Sequence, residues 1–247
     1  KRRELTAADY AYAWKRILDP KTRSPQLELF DGKLVGMDAL VAKAKETGRF
    51  DYDAPVEGLQ VLDKYTLRLN LKEPYYDLLA DLTTTGSAAV AREVVEKYGD
   101  ASGWVMANPV GTGPYRLKEW RRGQKIVLEA SPTFRDVRYP ESSDPADRAL
   151  MAKFKGRKLP LIGTIEISVI EEASPRLLAF EKGALDYIEV PVDLVANVME
   201  GGNALKPRFA QAGVVLQRGI IPGITYTWFN MEDPVVGGYE KEKVALR

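Results

Sequence analysis

Strands and amphipathic helices alternate irregularly along this chain, with hairpins among them, and that pattern predicts a mixed α/β fold with mixed sheets, not a doubly wound repeat. Three observations carry the prediction. Residues 115–129 hold two runs rich in alternating apolar positions, joined through Arg121-Arg122-Gly123-Gln124, which is a hairpin signal. Residues 56–71 repeat it around Asp63-Lys64. Runs with helical periodicity, each opened or closed by a cap, proline or glycine, separate and flank the hairpins.

Taken in order, Thr6 and Asp9 have the spacing of a capping box, in which hydroxyl and acid each answer a free helix N–H. Tyr10, Trp14, Ile17 and Leu18 then share one helical face, and Asp19-Pro20 ends the run. Residues 34–47, rich in Ala and Lys, predict a second helix closed by Gly48. Pro74 suits the first turn of a helix carrying Tyr75, Leu78, Leu79 and Leu82. Residues 92–98 predict another, stopped by Gly99.

In PVGTGPY, residues 109–115, Pro109, Gly111, Gly113 and Pro114 predict a tight, rigid turn, because glycine tolerates positive φ and proline fixes φ. The polar stretch 140–147 predicts an exposed loop. Residues 165–170 alternate as a strand, and Ser174-Pro175 opens a short helix stopped by Gly183. Residues 185–190 predict a strand, 192–199 a helical segment, and 224–230 an aromatic strand. No internal repeat is present.

The 247 residues are 45% apolar and 9% aromatic, ordinary values for a globular chain. A formal charge of +1 makes no electrostatic case for nucleic acid or an anionic membrane. Cysteine and histidine are both absent, which excludes thiol nucleophiles, Cys or His zinc sites and Ser-His-Asp triads. No metal site or cofactor is predicted; an enzyme using carboxylates alone stays open. No run approaches the roughly 18 to 20 apolar residues of a membrane span. Lys1-Arg2-Arg3-Glu4 stands directly before a helix start and residues 242–247 read as a helix cut short, so a piece of a longer protein is expected.

Five blocks, in order, resemble the periplasmic oligopeptide- and dipeptide-binding proteins of ABC importers, the extracellular solute-binding family 5. They are LTAADYAYAWKRILDP, VLDKYTLRLNLKEPYYDLLADL, NPVGTGPYRLKEWRRGQKIVLEASPTF, IEISVIEEASPRLLAFEKGALDYIEVP, and YTWFNMEDP followed by EKVALR. The resemblance implies a two-lobed periplasmic-binding-protein type II architecture, incomplete here. By it, residues 1–108 are the accessory subdomain of the first lobe, 109–222 part of the first ligand-binding lobe, and 223–247 the crossover into the second. It implies an extracytoplasmic protein, periplasmic or a cell-surface lipoprotein, monomeric, not an enzyme. Such a protein captures a peptide or similar solute by hinge closure and hands it to membrane permease subunits. Relatives of this kind carry dipeptides, longer peptides, nickel complexes, haem or sugars, and no residue here selects among them. The alternatives are a carboxylate-only hydrolase and a ligand-sensing domain on the same fold.

If 224–230 is a strand, Tyr226, Trp228 and Asn230 point one way, and the resemblance turns that side toward the cleft, where two aromatics would form flat walls with polar handles. Against this stands ordinary core packing of the aromatics. Thr112 and Gly113 offer a hydroxyl and accessible backbone, although an architectural turn is the simpler expectation. Glu171-Glu172, as sequence neighbours, diverge and suit a solvated helix entry. Asp186 and Glu189 flank Tyr187; Asp186 is expected to be structural, with contact to the cleft as its alternative, and Lys118, Arg121, Arg122 and Lys125 a solvated hairpin tip.

Overall fold

The computed structural model describes residues 3–201, 204–219, 223 and 225–244. They form two compact units, Lys1–Val169 and Ile170–Arg247.

The first unit is built on α1 (Ala7–Leu18), whose N-terminus forms as its sequence predicts. The Thr6 N–H donates to Asp9 Oδ2 at 2.8 Å, and Arg3 Nη1 and Nη2 reach the same carboxylate at 2.8 and 2.5 Å. The apolar face of α1 packs with Phe30, Leu34, Met37 and Leu59 into one core. Each such side chain, fully buried, contributes roughly 1.5 to 3 kcal/mol. Trp14 and Phe30 rings lie 5.0 Å apart, and the Trp14 indole N–H donates to the Ser87 carbonyl at 2.8 Å, satisfying a buried donor. Lys15 is buried beside them. Its ammonium donates to the carbonyls of Tyr52 at 2.9 Å and Ala54 at 2.6 Å, and burial pushes its pKa down.

Helix α2 (Met37–Thr47) starts later than the periodicity predicts. Leu34 is instead bridged to Leu71, because its backbone lies beside the antiparallel pair β1 (Leu59–Val61) and β2 (Leu67–Leu69). Gly58 makes this closeness possible: a Cβ there would stand 2.5 Å from Val35 N. Short helices α3 (Leu78–Asp81) and α4 (Arg92–Tyr98) follow.

Strands β3 (Tyr115–Arg121), β4 (Lys125–Ala130) and β5 (Thr164–Ser168) form one antiparallel sheet in the order β3-β4-β5. Gly123, at φ 70°, makes the β3–β4 turn in a conformation that favours glycine. The sequence of β3 breaks its own alternation, since Lys118 and Glu119 are both polar. The register shifts between Leu117 and Glu119, so Leu117 pairs with Leu128 and Trp120 with Ile126. This bulge returns Trp120 to the face of Tyr115 and Leu117. Ile165 and Ile167, paired with Leu128 and Ile126, extend the same face. Val127, 6% exposed, lies on the opposite one. The loop of 140–147 ends in a 3-10 turn at Pro145–Asp147, and α5 (Arg148–Phe154), not foreseen from the sequence, follows it.

In the second unit, α6 (Ala173–Glu181), α7 (Val195–Val198) and α8 (Pro207–Gln211) surround a small core of Leu177, Leu194, Val198 and Phe209. A two-residue pair, β6 (Met199–Glu200) with β7 (Ala204–Leu205), and α9 (Lys241–Val244) complete it. Residues 185–190 are not a strand. Ile188 and Val190 instead pack against the helical core, so their apolar surface is met without a partner strand.

Candidate functional site

The aromatic segment differs from its expectation. Residues 225–230 hold no strand, because no described strand lies alongside to take their backbone hydrogen bonds; Ile224 lies outside the described residues. The shared direction expected of Tyr226, Trp228 and Asn230 therefore does not follow from strand geometry. Core packing, the simpler reading of the aromatics, does not occur either: Tyr226 is 75% exposed and Trp228 80%.

Asn230 is different in kind. Its Oδ1 accepts the Glu232 N–H at 3.1 Å and its carbonyl accepts the Asp233 N–H at 3.1 Å, an Asx-type turn. Asp233 Oδ1 then takes the N–H groups of Val235 at 2.8 Å and Val236 at 3.0 Å. Those bonds, Val236 first, hold its carboxyl below the usual range. The Gly237 N–H returns to the Asp233 carbonyl at 2.9 Å, and a Cβ on Gly237 would collide with the Met231 and Asp233 backbone. Asn230 thus shapes the turn that follows the aromatics, and Asp233 and Gly237 join it. The sequence signal for that turn was present in Asp233-Pro234 and Gly237-Gly238.

At the other candidate segment, in the first unit, residues 110–113 are exposed. The Thr112 carbonyl accepts from Arg135 Nη1 at 3.4 Å. Gly111 and Gly113 do not adopt positive φ, and a Cβ at either would meet nothing within 4 Å. The expected backbone reason for glycine is therefore absent here, and the open space above both residues is accessible to another molecule.

Glu171, Glu172, Asp186 and Glu189 are all exposed. At the hairpin, Lys125 Nζ bonds Glu166 Oε1 at 3.1 Å, and Arg116 pairs with Glu129 across the strands at 2.7 Å. Among the described residues no three acids gather as a metal site, and no helix is long and apolar enough to cross a membrane.

Comparison of the fold with solved structures defines the class first. OppA of Burkholderia pseudomallei superposes with a TM-score of 0.56 at 24% identity, covering 78% of this chain and 33% of that one. The periplasmic murein tripeptide binding protein MppA, in its unliganded open form, gives 0.58 at 21%, covering 79% and 33%. The mixed α/β architecture, a part of the two-lobed substrate-binding fold, is that of these proteins.

Sequence comparison gives the family. The periplasmic oligopeptide-binding protein OppA of Salmonella typhimurium is 34% identical over 137 residues, 53% of this chain and 23% of that protein. The dipeptide-binding protein DppE of Bacillus subtilis is 25% identical over 201 residues, 81% of this chain and 31% of that protein. Residues 3–241 match the profile of the bacterial extracellular solute-binding proteins, family 5 Middle. The chain belongs to that family. It spans about a quarter to a third of the length of these relatives.

Proposed function

We propose that the protein of which this chain is part is the extracytoplasmic substrate-binding component of an ABC importer for peptides or similar solutes. The observation that carries this is the family match over residues 3–241, with peptide-binding proteins among the relatives. The protein binds its solute without turning it over, works as a monomer, and passes the closed, loaded state to permease subunits. It resides in the periplasm, or on the cell surface as a lipoprotein.

Within it, residues 1–108 serve as the accessory subdomain, 109–222 as part of the first ligand-binding lobe, and 223–247 as the crossover. Tyr226 and Trp228 are the aromatic ligand contacts, supported by their exposure. Large aromatics left in water are the residues expected to gain most from covering a ligand. Thr112 and Gly113 offer ligand contacts where no internal packing requires a glycine. Asn230 is a further ligand contact beside them, and its Oδ1 also accepts the Glu232 N–H in the turn that follows.

Native mass spectrometry of the complete protein, purified without denaturation, tests the proposal. Co-purifying peptides that exchange with added peptide, unaltered after incubation, are the expected result. Conversion of bound peptide to smaller products would overturn it in favour of a hydrolase.

A further inference from the structure

Apart from these candidates, a cavity of about 340 Å³ opens within the first unit, near the low end of the roughly 300 to 1,000 Å³ typical of small-ligand sites. Its walls are mainly apolar, with Ile17, Val90, Trp104 and Met106 among them. The Trp104 wall is anchored. Its indole N–H donates to the Thr22 carbonyl at 3.0 Å, and its backbone N–H to Asp100 Oδ1 at 3.0 Å.

The hydroxyls on the lining are already engaged. Thr22 Oγ1 donates to the carbonyls of Arg16 at 2.8 Å and Asp19 at 2.9 Å, and Ser24 Oγ accepts the Gln26 N–H at 3.1 Å. Arg16 is the charged residue of the lining. Its Nη2 donates to the Gly103 carbonyl, its Nε is buried without a hydrogen bond, and among the described residues it has no ion-pair partner. Asp100 senses its charge, but that carboxylate is committed to the N–H groups of Ser102 and Trp104. The result, among the described residues, is a half-buried cation with no carboxylate in direct contact at the wall of an apolar cavity, an arrangement that favours an incoming anion.

We propose that this cavity binds a small apolar carboxylate, with its hydrocarbon part against Ile17, Val90 and Trp104 and its carboxylate drawn to Arg16. The same chemistry is offered by a free acid and by the C-terminal residue of a peptide. None of Thr112, Gly113, Tyr226, Trp228 or Asn230 lines the cavity. The site therefore stands or falls separately from the proposed solute cleft.

Calorimetric titration with N-acetyl-L-leucine and with its uncharged amide tests the site. Saturable binding of the acid, at least about tenfold tighter than the amide, is expected. Arg16→Gln should erase that preference, and Ala88→Leu, which fills the cavity from a lining position, should abolish binding. No saturable binding, equal affinity for acid and amide, or unchanged binding in Ala88→Leu would each overturn the proposal. A thermal melt checks that each variant folds. Should Arg16→Gln fail that check, the acid and amide comparison in the unaltered protein decides the role of charge. Should Ala88→Leu fail it, loss of the Trp104 fluorescence response to ligand in Trp104→Phe decides the place, and an unchanged response overturns it. Competition by a peptide ending in leucine, but not by its C-terminal amide, identifies a chain terminus as the source; failure of both to compete identifies a free acid.

Discussion

Single residues divide here by whether their surroundings are already complete. Trp228 is exposed, so Trp228→Ala should leave the melting temperature unchanged while weakening peptide binding by the complete protein about tenfold or more. Calorimetry reads the affinity, and an unchanged value would remove Trp228 from the cleft. Gly58 is the opposite case. Gly58→Ala places a Cβ 2.5 Å from Val35 N and 2.6 Å from Val35 O, backbone atoms that cannot step aside, and should cost about 1 to 3 kcal/mol in urea unfolding. Asp9 adds a dependence on pH. Hydrogen bonds from Arg3 above all, then from Thr6, hold its folded pKa below the ordinary value, against the opposing effect of burial. The stability it contributes is thus complete above the unfolded pKa of about 3.9 and is lost as pH falls through the lower folded value. Asp9→Asn should flatten that acid limb of the stability curve, as followed by thermal melts between pH 2 and 6, the range chosen to bracket about 3.9.

Among the elements, the β3–β4 hairpin shows how one extra residue reconciles a sequence with a sheet. Periodicity alone assigns Tyr115 and Leu117 to one face and puts Trp120 on the other. The shift between Leu117 and Glu119 restores Trp120 to the apolar side, opposite Ile126. Deleting Lys118 should remove the bulge and leave Leu117, Glu119 and Trp120 in plain alternation, with Trp120 still opposite Ile126. The expected result is an unchanged Trp120 emission, measured against a Trp120→Phe control, with a melting temperature close to that of the parent. A shifted emission or a clear loss of stability would mean that the strand needs the bulge to hold this register. Helix α1 owes its place to a different kind of consistency: cap, apolar face and C-terminal cations all favour the same helix. Its boundaries were accordingly legible from the sequence. Helices α5 and α8 are short, and neither carries as strong a set of signals.

Over the whole molecule, order is uneven. The core around α1 is extensive, whereas among the described residues that of the second unit rests on four buried side chains. Among the described residues, no backbone N–H of 225–230 donates to a backbone carbonyl. Hydrogen exchange should therefore be slowest within α1 and fast across 225–230. In the complete protein, added peptide should slow exchange at 225–230; no change on saturation would count against a ligand contact there.

What the sequence by itself determined is the mixed α/β class, the hairpins at 59–69 and 115–130, the α1 core face and the family. Each is written in local periodicity, turn chemistry or ordered blocks of residues, which require no knowledge of distant partners. Only the tertiary structure decided the fate of 185–190 and 225–230, because a strand exists only where another backbone answers its hydrogen bonds. It likewise decided that Asn230 is held within a turn, that Gly111 and Gly113 leave open space, and that Arg16 meets an apolar cavity. Those properties depend on what the folded chain places around each side chain, which no local pattern encodes.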